Sequence, residues 1–246
     1  MIATVKKFIP RTFKYAIRAA AMKFMQKVFK VSSFSFSQSG EDLILKQYFG
    51  EKTDGFFIDI GAFHPLILSN TYYFYSLKNW HGINIDACPG SMKLFDKLRP
   101  RDINVEAAIS DDNSELTYYF IHSTSPMNSF SKEFLLENKT YEQVKKEIKI
   151  KTQSLEQILD EYLPMNTKID FMNIDAEGVD LKVLRSNNWS KYRPEIVIVE
   201  QKIGNVFLID STEIYKFLYS EGYEVISVVY QTENLSNVFY SDKESH

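Results

Sequence analysis

The sequence of 246 residues has a single cysteine, Cys88. An intramolecular disulfide is therefore excluded, and so is a zinc site built on cysteines. This suits a reducing compartment, and the expectation is a cytoplasmic chain. No run of 18 apolar residues occurs, so no membrane-spanning helix is predicted. The N-terminus also lacks the continuous apolar stretch of a signal peptide, because bases interrupt it every three to five residues. Acid is missing from residues 1–40 altogether; the first is Glu41. Hydrophobic residues make up 44% and charged residues 25%, which is globular and not disordered composition. The length allows one large domain, or a domain with an appendage.

The charge is unevenly placed. Eight of the 29 basic residues lie in residues 1–40: Lys6, Lys7, Arg11, Lys14, Arg18, Lys23, Lys27 and Lys30. The rest carries 21 bases against 32 acids, a net of −11, although the whole chain is only −3. An acidic body argues against a general nucleic-acid binder, which needs a broad basic face. In the stretch 11–30, Phe13, Ile17, Ala20, Phe24 and Val28 recur at helical spacing with lysines and arginine beside them. Such a helix suits a membrane interface, where the basic side chains reach head groups. It equally suits packing on its own domain or on a partner. The expected division is a basic amphipathic arm and linker over 1–36, then one domain over 37–246.

Beyond the arm, short apolar runs alternate with helical patterns. FFIDI (56–60), GINID (82–86), INVEAAIS (103–110), LTYYFI (116–121), IKIKT (148–152), IDFMNID (169–175), EIVIVE (195–200) and YEVISVVY (223–230) read as strands, the last as the final one. Helical stretches are expected from the SQSGED segment onward, where Ser39 and Asp42 resemble a capping box, and from Gly61 through Leu77. Others fall over 90–98, 154–163 with Pro164 as the stop, 179–184 and 212–220. This alternation predicts an α/β fold: a mostly parallel twisted sheet with helices on both faces. The polar stretch 122–146 is the main insertion and a candidate substrate loop.

Four acids stand at or near the carboxyl ends of strands: Asp59, Asp86, Asp175 and Glu200. In a parallel α/β sheet those ends border the ligand crevice. Strands disfavour acids, so four at equivalent places ask for a reason. The turn after the first strand, GAFHPL, has one glycine, whereas a pyrophosphate-binding loop needs several. A ligand without phosphates, such as S-adenosylmethionine, fits better. Asp59 would face its ammonium or a water ordered by it, and Asp86, 25 residues after Gly61, stands near the spacing of a ribose-binding acid.

The segments SQSGED (37–42), FIDIGAFHP (57–65), SNTYYFY (69–75), GINID with Trp80 two residues before it, AIS (108–110), MNIDAEGVDLKVL (172–184) and EIVIVE (195–200) together resemble the FkbM family of methyltransferases. That resemblance implies a Rossmann-like class I methyltransferase fold and S-adenosylmethionine-dependent O-methylation of a saccharide or glycoconjugate hydroxyl. It implies that Asp59, Gly61 and Ala62, with Phe63 beside them, line the methionine end. Asp86, followed by Ala87, would meet the ribose, while Ala108 and Ile109 lie near adenine or simply pack in the core. Pro65 stands where many relatives carry a second glycine.

A hydroxyl must lose its proton as its oxygen attacks the methyl group. Candidates for assisting this are His64, Asp175 and Glu177. His64 is alternatively a loop histidine bonded to backbone. Glu177 alternatively accepts backbone N–H groups at a helix start. A further possibility places Mg2+ on Asp175, Glu177 and Glu200, orienting a diol and lowering a hydroxyl pKa. Two rival functions stay open at this level: a non-catalytic, membrane-associated scaffold of the same fold that binds cofactor, and a nucleotide-dependent oxidoreductase, against which the single-glycine loop counts.

Overall fold

The computed structural model describes residues 34–245 except Thr124, together with Ile17, Ala21 and Phe24. Those three are helical and exposed; the remainder of the expected 11–30 helix lies outside the described residues.

In chain order the elements are α1 (Glu41–Phe49), β1 (Phe56–Ile60), α2 (Tyr72–Leu77), β2 (His81–Asp86), α3 (Met92–Leu98), β3 (Ile103–Glu106), β4 (Ala108–Ile109) and β5 (Glu115–Phe120). There follow α4 (Lys132–Glu137), β6 (Lys146–Gln153), α5 (Leu155–Tyr162), β7 (Phe171–Ile174), α6 (Asp180–Arg185), β8 (Ile196–Gln201), α7 (Glu213–Ser220), β9 (Tyr223–Tyr230) and β10 (Ser236–Asp242). Seven strands form the main sheet in the order β3-β2-β1-β7-β8-β10-β9. Its pairings are parallel except that β10 runs antiparallel to both β8 and β9. The order reverses between β1 and β7, and a crevice opens at the carboxyl ends there. This is the Rossmann-like class I methyltransferase arrangement.

Alternation along the central strands builds two layers. Phe56, Ile58 and Ile60 of β1, Met172 and Ile174 of β7, and Val197 and Val199 of β8 pack with α5, α6 and α7. Phe57, Phe171, Ile196 and Ile198 face the other way, onto Leu45 and Phe49 of α1 and Tyr72 and Phe74 of α2. Helices thus cover both faces, as the alternation predicts.

Several local expectations are corrected. The stretch INVEAAIS divides: β3 joins the main sheet, while β4 joins a three-stranded sheet with β6 and β5. YEVISVVY is not the last strand, since β10 follows and inserts between β8 and β9. All seven β10 residues are buried, so SNVFYSD carries no alternating polar face to announce it. From Gly61 through Thr71 the backbone is a loop, with Phe63 and Leu68 in the left-handed region (φ 51° and 50°), and helix α2 starts only at Tyr72. At α1 there is no capping box: the N-cap is Gly40 at φ 95°. Asp42 instead accepts from Phe36 N–H at 2.7 Å and from the Ser35 and Ser37 hydroxyls at 2.6 and 2.9 Å. The Ser154 capping box of α5, closed by Gln157, is present.

Candidate active site

The crevice at the carboxyl ends of β1, β2 and β7 opens about 1100 Å³ of space. All eight residues assigned from the sequence to cofactor contact line it. So do Asp175 and Glu177. His64 does not: it is 4% exposed, and its Nδ1 accepts from Leu66 N–H at 3.1 Å. Burial drives its pKa down to about 4, which leaves the ring neutral. The histidine is thus bonded to backbone, the alternative role open from the sequence.

The β1 exit is held by contacts that tolerate only glycine. Gly61 sits at φ 77°, and a Cβ there would lie 1.8 Å from the backbone oxygen of Asp175. Its N–H and that of Ala62 both donate to Ile85 O, at 2.9 and 3.1 Å. The three exits, from β1, β2 and β7, are thereby drawn together over the crevice. Phe63, Leu68 and Glu177, all left-handed (φ about 50°), also line it. Such conformations cost about 1–3 kcal/mol each and persist only where surrounding contacts enforce them.

Asp86 is one enforcing contact. Its Oδ2 accepts from Phe63 N–H at 2.9 Å and its Oδ1 from Cys88 N–H at 2.7 Å. The carboxylate braces two cavity loops. Burial raises its pKa, against the backbone bonds that lower it. Asp59 is 2% exposed. Its oxygens accept from Asn173 Nδ2 and Thr71 Oγ1, both at 2.9 Å. Thr71 Oγ1 in turn accepts from Arg99 Nη1 at 2.8 Å, and Arg99 Nε donates to Asp102 at 2.7 Å. Burial raises the Asp59 pKa, and the Arg99 charge opposes that shift. Asn70, which donates to Asn173 Oδ1 at 2.8 Å, completes the network at the cavity wall. The roles of Thr71, Asn173 and Arg99 were missed from sequence. Thr71 and Asn173 fall inside motifs that carry the resemblance, while nothing local marks Arg99, which reaches the site only through the packing of α3.

At the β7 exit the chain turns through Asp175-Ala176-Glu177-Gly178. Asp180 holds that turn, its Oδ1 accepting from Ala176 N–H at 2.8 Å and its Oδ2 from Gly178 N–H at 3.2 Å. The backbone-accepting role considered for Glu177 therefore belongs to Asp180. Freed from it, Glu177 joins Asp175 and Glu200, with one oxygen of each lying within 4.8 Å of the other two. Asp175 Oδ1 is buried without a hydrogen-bond partner among the described residues. Burial first, then the charge of Glu200, pushes Asp175 and Glu177 well above the carboxylate range. Burial, then Asp180, raises Glu200 to about 7.

The family model for the methyltransferase FkbM domain matches residues 59–225. The chain belongs to the FkbM methyltransferase family. No curated protein matches it in sequence. Among solved structures it is similar to a precorrin-6y C5,15-methyltransferase from Geobacter metallireducens, at 13% identity and TM-score 0.46, over 86% of this chain and 93% of that one. A second is a 1,6-didemethyltoxoflavin-N1-methyltransferase from Burkholderia thailandensis with bound S-adenosylhomocysteine, at 10% identity and TM-score 0.45, over 95% and 90%. A third is the S-adenosylmethionine-bound fibrillarin of Aeropyrum pernix, at 10% and TM-score 0.42, over 77% and 67%. As an FkbM protein, this chain is a methyltransferase that uses S-adenosylmethionine. No helix among the described residues is long and apolar enough to cross a membrane.

Proposed function

We propose that this FkbM methyltransferase moves a methyl group from S-adenosylmethionine to a hydroxyl of a saccharide or glycoconjugate. The observation that carries the reading is the set of three converging carboxylates beside the cavity. A hydroxyl acceptor needs a proton acceptor whose pKa lies near neutrality, and burial raises Glu200 to about 7. Asp175 and Glu177 stand on the cavity side of that set, where an acceptor oxygen would meet the sulfonium methyl. Asp59, Gly61, Ala62 and Phe63 would hold the methionine end, Asp86 and Ala87 the ribose, and Ala108 and Ile109 the adenine. Bound cofactor supplies the activated methyl group; the protein supplies alignment and the proton acceptor.

The same carboxylates fit a divalent cation as a second reading. Oxygen ligands on opposite sides of Mg2+ or Ca2+ are about 4–5 Å apart. The buried, unpartnered Asp175 oxygen would then find a partner, and the mutual repulsion would be relieved. A cation there would lower the pKa of a bound hydroxyl. The arm, if it binds lipid head groups, would keep the enzyme peripheral at a membrane surface.

Isothermal titration with S-adenosylmethionine is expected to show binding, weakened at least tenfold by Asp86→Ala. Asp175→Ala and Glu177→Ala should keep the affinity and lose transfer of tritiated methyl to a glycan extract. Equal transfer by all three variants would refute the assignment, and transfer unchanged by EDTA would remove the cation.

A further inference from the structure

A threonine at a helix N-cap usually turns its hydroxyl onto the first free N–H groups of that helix. Thr71 holds the N-cap position of α2 and makes no such bond. Its hydroxyl is directed instead at Asp59, whose carboxyl lines the cofactor crevice. Chemistry fixes the direction of each bond around that carboxyl. A guanidinium has donors only, so Thr71 Oγ1 accepts from Arg99 Nη1 at 2.8 Å. The one Thr71 hydroxyl proton goes to Asp59 Oδ2 at 2.9 Å. Ser69 Oγ, 3.1 Å from Thr71 Oγ1, must then donate to it, and accepts in turn from Tyr72 N–H at 3.2 Å. On the other side, Asn70 Nδ2 donates to Asn173 Oδ1 at 2.8 Å, which commits Asn173 Nδ2 to Asp59 Oδ1 at 2.9 Å. Each Asp59 oxygen thus receives a donor whose own direction is set by a further bond.

Arg99 is itself held in place. Its side chain and that of Asp102 are fully buried and joined through Arg99 Nε at 2.7 Å. The rings of Tyr75, Phe57 and Phe95 stand 4.9, 5.1 and 5.8 Å from the guanidinium carbon. The planar fork serves two acceptors at once, Asp102 through Nε and Thr71 through Nη1, which a lysine ammonium does not reproduce. Neither Thr71 nor Arg99 lines the crevice, so both act from behind Asp59. We infer that Thr71 and Arg99 are positioning residues for the charged amino-acid tail of the cofactor, holding the Asp59 carboxylate in the orientation that accepts from the tail's ammonium; this rests on the assignment of Asp59 to the methionine end proposed above. A carboxylate fixed before the ligand arrives loses little freedom on binding, and that saving appears as affinity. A ligand without the tail gains nothing from the relay.

The test is isothermal titration of the full chain with two ligands. S-adenosylhomocysteine carries the tail; methylthioadenosine shares its adenine, ribose and thioether and lacks the tail. Thr71→Val removes the hydroxyl at nearly constant shape. It should weaken S-adenosylhomocysteine about tenfold and leave methylthioadenosine within about twofold. Thr71→Ser keeps a hydroxyl and should restore the parent affinities. Arg99→Lys keeps a cation beside Asp102, which protects the fold, and should show the same one-sided loss, about fivefold. Circular dichroism melts establish that each variant is folded at the titration temperature. If both ligands weaken together, if Thr71→Val and Arg99→Lys hold S-adenosylhomocysteine as the parent does, or if serine fails to restore it, Thr71 and Arg99 are structural residues only. Asp59→Asn separates that failure from failure of the assignment beneath it. Parent-like binding of both ligands by Asp59→Asn would mean that Asp59 does not hold the tail. Loss of the preference in Asp59→Asn but not in Thr71→Val would overturn the relay alone.

Discussion

Replacing Glu200 with glutamine should stabilise the ligand-free chain, and only above acid pH. In the fold this carboxyl titrates near 7, raised from about 4.5 by burial and by the neighbouring Asp180. A folded pKa above the unfolded one means that the native state holds its proton more tightly. The contribution is complete below pH 4.5 and is lost as pH rises through 7. The interval between those values corresponds to about 3 kcal/mol, at about 1.4 kcal/mol for each tenfold change. Asp175 and Glu177 are pushed in the same direction, so they steepen the same slope. Glu200→Gln removes one charge from the cluster at nearly constant shape. Its advantage over the parent should be close to nil at pH 4.5 and approach about 3 kcal/mol at pH 8.5. For a domain of this size that is roughly 6–12 °C in Tm. Thermal melts followed by circular dichroism from pH 4.5 to 8.5, in chelator, measure it. A gap that does not change with pH, or a variant less stable than the parent at pH 8.5, would refute the account of the cluster as mutually repelling, half-buried carboxylates.

Gly61→Ala should lose more than about 3 kcal/mol, seen as loss of cooperative unfolding in urea. Its Cβ would strike Asp175 O, a backbone atom that cannot move alone. Arg99→Met should cost about 3–5 kcal/mol, because it leaves Asp59 and Asp102 buried without their cation; a fully native Tm would remove Arg99 from the Asp59 network. Deleting residues 1–33 should abolish co-sedimentation with anionic vesicles while leaving S-adenosylmethionine affinity unchanged. Retained co-sedimentation would assign the arm to packing.

The sequence alone determined most of the scaffold, for a local reason. Runs such as FFIDI and EIVIVE are apolar on both faces, and only a strand covered by helices on either side buries both. The acids at or near the ends of such runs pointed to the crevice, and Glu177, two residues past Asp175 in the D-A-E-G segment, joined Asp175 and Glu200 as a candidate cation set. Other features depended on contacts distant in sequence. SNVFYSD became β10 because a slot between β8 and β9 buries all its side chains, which no local pattern records. His64 read from the sequence as either a base or a loop histidine bonded to backbone, and packing decided it: the ring is buried and its Nδ1 accepts from Leu66 N–H. Arg99 reached Thr71 and Asp102 through a helix whose sequence has no motif. The acids were legible singly, but their repulsion was not. It arises because the fold sets β7 beside β8 and brings Asp175, Glu177 and Glu200 within 4.8 Å of one another, and their partial burial then decides how strongly those carboxyls hold a proton.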